Sequence, residues 1–359
     1  MKGLEFPIIG TKVKGLTRPF DINSPKGRKD YFEAKVGDEI ANIKKFLARG
    51  NTFVAYMLGK KNSGKGTYTK IVGEILGSDK IAHISVGDLI RELDSWEEFK
   101  STKRYERMRG YYRGYLSWDK AVAAHLGRSQ EKLLPDEFIL ALLKAHIDDL
   151  QGKCLFIDGL PRNLDQVSYS LFFRDLINYR QDPDMFVLID IPEAVIEERM
   201  KFRVVCPECH TSRNTKLLMT SRVDYDEKTG KFYLICDNPD CAKNGVARMG
   251  AKQGDDAGLE SIRVRLNNDE ELLRKTLEIH GVPKVLLRNH VPVDIADNYF
   301  DTYELTPEYV LTWDKSKRQV KVTEKPWTVK DDNGDLCYSL LASPVVVSLL
   351  KQMVEVLEG

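Results

Sequence analysis

Apolar residues cluster in short runs at four places in the chain, 53–58, 81–84, 154–157 and 185–189, uninterrupted except at His83. A run that is apolar at every position, rather than at alternate ones, predicts a strand buried on both faces, as in a parallel sheet. Between the runs the apolar positions recur every three or four residues. Phe32, Val36, Ile40, Ile43 and Leu47 predict a helix over 30–49 ended by Gly50, and Ile71, Val72, Ile75 and Leu76 predict another stopped at Gly77. Strands alternating with helices predict right-handed βαβ units, hence an α/β fold whose parallel sheet carries helices on both faces.

Other stretches depart from this rhythm. Residues 1–29 carry Pro, Gly and Lys without a period and predict a loosely packed arm. Residues 203–255, rich in Cys, Asn, Asp, Lys and Gly, read as an inserted module. A charged amphipathic helix follows over 258–280 (Ile262, Leu266, Leu272, Leu273, Leu277). Residues 297–340 are rich in aromatics and Thr and alternate over 319–323, which predicts extra strands or a hairpin. A closing helix is expected over 344–357, with Pro344 near its start, where a missing N–H costs nothing.

Composition narrows the class. At 359 residues, 42% hydrophobic and 30% charged, the chain can bury a sizeable core, as roughly two domains or one domain with insertions. Its 55 basic and 54 acidic side chains leave a formal charge of +1, without the basic excess of a general polyanion binder, so nucleic acid is not an expected partner. No apolar stretch approaches the roughly 20 residues needed to cross a bilayer, and the first ten residues lack the apolar core of a signal peptide. Six cysteines are too few for a disulfide scaffold, and a cytoplasmic monomer is expected.

Gly59-Lys60-Lys61-Asn62-Ser63-Gly64-Lys65-Gly66-Thr67 carries the first chemistry: G-x-x-x-x-G-K between a buried strand and a helix. Such glycines let backbone N–H groups wrap a phosphate, the helix presents its positive end, and Lys65 reaches the β- and γ-phosphates. Cys206-x2-Cys209 and Cys236-x4-Cys241, separated by 26 residues, carry the second. Four thiolates suit tetrahedral Zn²⁺, and a shell closed by four cysteines has no open position for catalysis, so a structural metal is expected; iron fits the same ligands, and His210 is an adjacent spare ligand.

The Gly64-Lys65-Gly66-Thr67 form of the loop resembles the adenylate kinase family of nucleoside monophosphate kinases, which usually has Pro and Gly where this chain has Lys61 and Asn62. Asn tolerates positive φ, so the loop is expected to keep its shape. Two more blocks are similar: Ser85-Val86-Gly87-Asp88 with Arg91, and Asp158-Gly159-Leu160-Pro161-Arg162 with Gln166. The resemblance implies a P-loop core with an inserted acceptor-binding region and a zinc-bearing lid. It divides the chain into a 1–50 extension, core at 51–90, acceptor insertion at 91–150, core at 151–202, lid at 203–257 and core completion at 258–359. It implies transfer of the γ-phosphoryl of Mg·ATP to AMP. Lys65, Arg162, Arg203 and Arg265 would stabilise the transferring group, and Asp88 and Asp158 would organise Mg²⁺ through water. ATP would be bound by Gly59, Asn62, Ser63, Gly64, Lys65, Gly66 and Thr67, with Arg199 on the adenine and Ser343 beside the base. The acceptor would meet Val86, Arg91, Gly159, Arg162, Gln166 and Arg265. The family's second lid arginine, normally just before an Asp-Asp pair, has no clear counterpart before Asp255 and Asp256; Arg248 and Lys252 are the candidates.

Gln166 favours AMP, because an amide can both accept from N6 and donate to N1 of adenine. A UMP/CMP kinase is the alternative, and a non-catalytic ATP-binding zinc module with a nucleic-acid or protein partner is a second. The additions at 1–50, 95–128 and 297–340 lie outside the resemblance. Arg/Tyr interleaving at 104–115 suits RNA or an acidic partner, but a solvated helix face is the expectation.

Overall fold

A computed structural model describes all residues except 128–133, 151, 163–165, 167–181, 253, 256–257 and 359. Asp256, Gln253 and most of the helical stretch expected between the third and fourth apolar runs lie outside the described residues. The four runs form strands β1 (Val54–Gly59), β2 (Ile81–Ser85), β3 (Cys154–Asp158) and β4 (Asp184–Asp190). A fifth strand, Lys284–Arg288, joins them in one parallel sheet. From edge to edge the order is Lys284–Arg288, β4, β1, β3, β2. The fifth strand was not anticipated. Only Val285 and Leu287 of its five residues are fully buried, so it gives an edge-strand alternation rather than a continuous run.

Alternate residues of β1 serve two separate cores. Val54, Tyr56 and Leu58 pack with the helices of 86–147, whereas Ala55 and Met57 pack with α1 (Pro25–Ala48), α2 (Lys65–Leu76) and the closing helix Ala342–Glu358. Helices therefore cover both faces, as the continuous apolar runs required. Helix α1 begins five residues earlier than the periodicity suggested. Ser24 caps it by accepting from the Gly27 amide at 3.1 Å, and Pro25 follows at the first helical position.

The arm is not loosely packed. Phe6, Phe20 and Ile22 are buried, and Thr11 is fully buried. Its anchors are individual side chains at irregular spacing, which periodicity cannot register. The central anchor is Glu304, fully buried in the 297–340 addition. Its carboxylate accepts from the Thr11 hydroxyl at 2.6 Å, the Tyr31 hydroxyl at 2.5 Å and the Asp301 amide at 2.6 Å. The buried Lys35 ammonium pairs with Asp301 at 2.7 Å and lies 3.9 Å from Glu304. Arm, α1 and C-terminal addition are thus tied at one charged knot. Glu304→Ala leaves two buried hydroxyls and the part-buried Asp301 amide without an acceptor, and is expected to cost about 3–5 kcal/mol in denaturant unfolding. A loss below roughly 0.5 kcal/mol, the range of ordinary surface changes, would contradict that role for the knot.

The alternation at 319–323 belongs to an antiparallel hairpin, Pro307–Asp314 with Gln319–Pro326. It lies against the inserted module: Trp313 stacks on Tyr225 with centroids 4.8 Å apart, Arg318 pairs with Glu227 at 3.1 Å, and the Tyr309 amide donates to the Lys216 carbonyl at 2.8 Å. In the 95–126 region Trp96, Tyr105, Tyr112 and Trp118 form one ring cluster with Phe138, while Tyr115 is exposed. Arg104 pairs with Glu92 and Asp149, and Arg107 with Asp149, so these arginines are engaged within the chain. No described helix is long and apolar enough to cross a membrane.

Candidate active site at the carboxyl ends of the strands

The phosphate loop leaves the carboxyl end of the central strand, β1, where ligands bind in open α/β sheets. Close packing explains its glycines: a Cβ on Gly59 would lie 2.7 Å from Ser63 Oγ and 3.1 Å from Ile189 Cβ, and one on Gly64 would lie 2.7 Å from the Tyr68 ring. Gly64 has φ 105°, and Asn62 takes φ 66°, so asparagine does adopt the left-handed conformation that glycine would supply. Helix α2 starts at Lys65 with no side-chain cap, leaving its positive end to the loop. Ser63 is fully buried, yet among the described residues neither its Oγ nor Asn62 Nδ2 has a hydrogen-bond partner.

Lys65 Nζ donates to the carbonyls of Gly59 at 2.7 Å and Lys60 at 3.3 Å, and lies 3.7 Å from Asp158. Asp158 arrives there by register: it ends β3, opposite Met57 of β1 and Ser85 of β2. Arg162 folds back to donate from Nε to the Gly159 carbonyl at 3.0 Å. Burial lowers its pKa, as does the neighbouring Arg265, while Asp158 and Asp269 oppose the shift and Arg91 adds to it. Lys65, Asp158, Arg162 and Arg265 therefore face one another across the loop.

Two arginines hold the loop. Arg203 makes a bidentate pair with Asp255 at 2.5 Å through both Nε and Nη2, and its Nη1 donates to Asn62 Oδ1 at 2.9 Å. Because Asp255 belongs to the inserted module, this contact latches module to loop. Arg199 lies beneath the loop, donating to the Asn62 carbonyl at 3.1 Å and to Asn289 Oδ1 at 3.3 Å. Burial lowers the pKa of the Arg199 guanidinium, with the adjacent Tyr68 working in the opposite sense. Ser343 is buried in the first turn of the closing helix, Gly66 lies in the first turn of α2, and Thr67 in that turn is exposed.

On the acceptor side, Asp88 and Arg91 form an exposed i,i+3 pair with each other. Val86 is buried, and its Cβ would lie 3.4 Å from a Cβ on Gly159, which fits a residue that shapes the wall of the site by packing. Gln166 is buried; its Oε1 accepts from the Arg162 amide at 2.7 Å and its Nε2 donates to Asp136 at 2.6 Å. Of the two candidates for the second lid cation, Arg248 lies over the Tyr233 ring at 3.9 Å and pairs with Asp226 at 3.5 Å, whereas the charge of Lys252 acts on Lys61 of the loop.

The sequence reading missed three supports. Asp269, one turn along the helix Arg263–Leu277 from Arg265, accepts the Lys61 amide at 2.9 Å; burial raises its pKa, and Lys65 and Arg265 oppose the rise. Lys60 is buried among Asp332 at 3.2 Å, Glu193 at 3.2 Å and Glu270 at 3.1 Å. Burial opposes its charge, but the three carboxylates outweigh this and raise its pKa. Asp332, from the C-terminal addition, also accepts the Glu193 amide at 2.8 Å and so fixes the start of the helix Glu193–Lys201 that carries Arg199. No motif marks these residues, because each acts through a contact distant in sequence.

In the inserted module the ligand atoms of Cys206, Cys209, Cys236 and Cys241 all lie within 4.8 Å of one another. Two of the sulfur separations are 3.9 Å (Cys206 to Cys241) and 3.7 Å (Cys209 to Cys236). Zn–S bonds of about 2.3 Å in a tetrahedron give sulfur edges of about 3.8 Å, so the four residues fit such an ion. The exposed His210 is not part of the group.

Fold and loop together define a P-loop nucleotide-binding α/β protein. A family model described as an AAA domain matches residues 58–204. An adenylate kinase from Thermotoga petrophila is 30% identical over 159 residues, 44% of this chain and 61% of the relative. One from Thermotoga neapolitana is 26% identical over 238 residues, 66% of this chain and 89% of the relative. A probable adenylate kinase 6, chloroplastic, from Arabidopsis thaliana is 24% identical over 256 residues, 70% of this chain and 74% of the relative. The chain is thus similar to adenylate kinases, spanning 61% of the length of the first of these relatives and 89% of the second.

Proposed function

We propose that the protein transfers the γ-phosphoryl group of Mg·ATP to AMP, giving two ADP. The observation that carries this reading is the convergence of Lys65, Arg162 and Arg265 with Asp158 at the mouth of the phosphate loop. A site that only bound ATP would have no use for the Arg162 and Arg91 pair on the far side of the transferring group. An acceptor phosphate oxygen attacks the γ-phosphorus, the bond to the β–γ bridging oxygen breaks, and the electron pair stays on the departing ADP. Such a reaction needs positioning and charge neutralisation more than proton transfer. Lys65 and the loop amides hold the β- and γ-phosphates, Arg162 holds the acceptor phosphate, and Arg265 faces the group between them. Magnesium, when bound, would supply positive charge that offsets the charge on the nucleotide phosphates. Asp158 fits the role of holding its water shell, whereas Asp88 would have to exchange its Arg91 partner to do so. Zinc is the metal we infer for the four thiolates, as a structural ion of the lid, and the expected compartment is the cytoplasm.

AMP preference rests on Gln166, whose amide would exchange its bonds to Arg162 and Asp136 for the adenine edge. Initial rates with AMP, UMP, CMP and GMP at one ATP concentration test this. AMP is expected to lead by about tenfold or more, as expected for a site built to hydrogen-bond one base; a faster rate with UMP or CMP would reverse the assignment.

A further inference from the structure

Lys61 stands in the loop where the family usually has proline, and its surroundings are cationic. Its backbone is fixed by the hydrogen bond its amide donates to Asp269. The next residue, Asn62, is clamped by Arg199 on its carbonyl and by Arg203 on its side chain. Among the described residues, Arg265, Arg203 and Lys252 act on its ammonium and Asp255 opposes them. Asp255 is already committed to the bidentate pair with Arg203. Among the described residues, Lys61 Nζ has no ion pair within 4 Å, unlike its neighbour Lys60, which has three. Half-buried like charges raise the energy of the free protein unless an anion joins them. The fully buried and unpartnered Ser63 Oγ, two residues on, marks the same loop as a polar site completed by a ligand.

We propose that Lys61 is a phosphate-binding residue of this protein, supplying from the loop the cation that the family carries as a second lid arginine. Resting on the phosphoryl-transfer reading, the inference names an additional group for that same site. With Arg248 occupied by Tyr233 and Asp226, the cations about the loop mouth are Lys61, Lys65, Lys252, Arg203 and Arg265. Burial and those neighbours lower the Lys61 pKa, in keeping with a cation held against its own electrostatics until an anion arrives.

The test compares full-length wild type with Lys61→Met and Lys61→Arg by calorimetric titration of ATP, by turnover and by thermal melting without nucleotide. Lys61→Met is expected to weaken ATP binding roughly 10- to 100-fold, the worth of one charge-assisted hydrogen bond. Its nucleotide-free melting temperature should equal or exceed that of wild type, because a repulsive charge is gone. Lys61→Arg should restore most of the affinity. Unchanged ATP affinity in Lys61→Met would overturn the proposal. So would a loss of affinity accompanied by a lowered melting temperature and not rescued by arginine, which would show a structural role. If wild type bound ATP but phosphorylated no monophosphate, the transfer reading would fail, while the affinity ratio would still decide the role of Lys61.

Discussion

Lys65→Met is expected to lower turnover by roughly 100-fold or more, about 2.7 kcal/mol of transition-state stabilisation. The reason is geometric. Lys65 Nζ is the cation placed between the loop carbonyls and Asp158, and its rotatable ammonium can follow negative charge as the γ-phosphoryl moves. Because Lys65 Nζ also donates to the Gly59 and Lys60 carbonyls, the melting temperature of Lys65→Met is measured beside its turnover. A steady-state assay alongside a melting curve separates the two effects. Near-normal turnover in a folded variant would remove Lys65 from the chemistry.

Stripping the zinc inferred for the four cysteines is expected to produce the second large effect, in the inserted module. The core around Cys206, Cys236 and Cys241 contains only Leu234, Ala247 and Met249 as further buried residues, too little apolar surface to hold strands together. A structural zinc supplies about 10–16 kcal/mol of apparent binding energy in small domains, which becomes folding energy. Chelation is therefore expected to increase amide exchange in the hairpin Arg222–Asp226 and Lys231–Ile235 by roughly tenfold or more, and to lower the melting temperature before it lowers the rate of folded enzyme. The hairpin 307–326 should feel the same loss through Trp313 and Tyr225. Rate lost while lid exchange stays slow would instead mark the metal as catalytic.

The parallel sheet was legible because strands buried on both faces leave uninterrupted apolar runs, and α2 because Gly59, Gly64 and Gly77 bracket it. The cysteine group was legible from spacing alone. What the sequence hid has two physical causes. Lys284–Arg288 is an edge strand with one partner, so its burial alternates and imitates a loop. Asp269, Asp332, Asn289 and Glu304 act through hydrogen bonds and ion pairs to residues remote in sequence, which leave no periodic trace. Arg199 shows the reverse limit. The family motif places an arginine there, but its contacts with the Asn62 carbonyl and Asn289 tie it to the underside of the loop. The Arg/Tyr stretch at 104–115 was ambiguous because arginines paired in sequence-distant bridges to Glu92 and Asp149 look the same, in one dimension, as a binding face.

A single titration probes whether one cleft holds two nucleotides phosphate to phosphate. A dinucleotide pentaphosphate with adenosine at each end should bind with one-to-one stoichiometry, compete with both ATP and AMP, and lose affinity roughly tenfold or more in Arg162→Ala. Competition with ATP alone, with Arg162→Ala binding as wild type, would mean that no acceptor nucleotide sits opposite the phosphate loop.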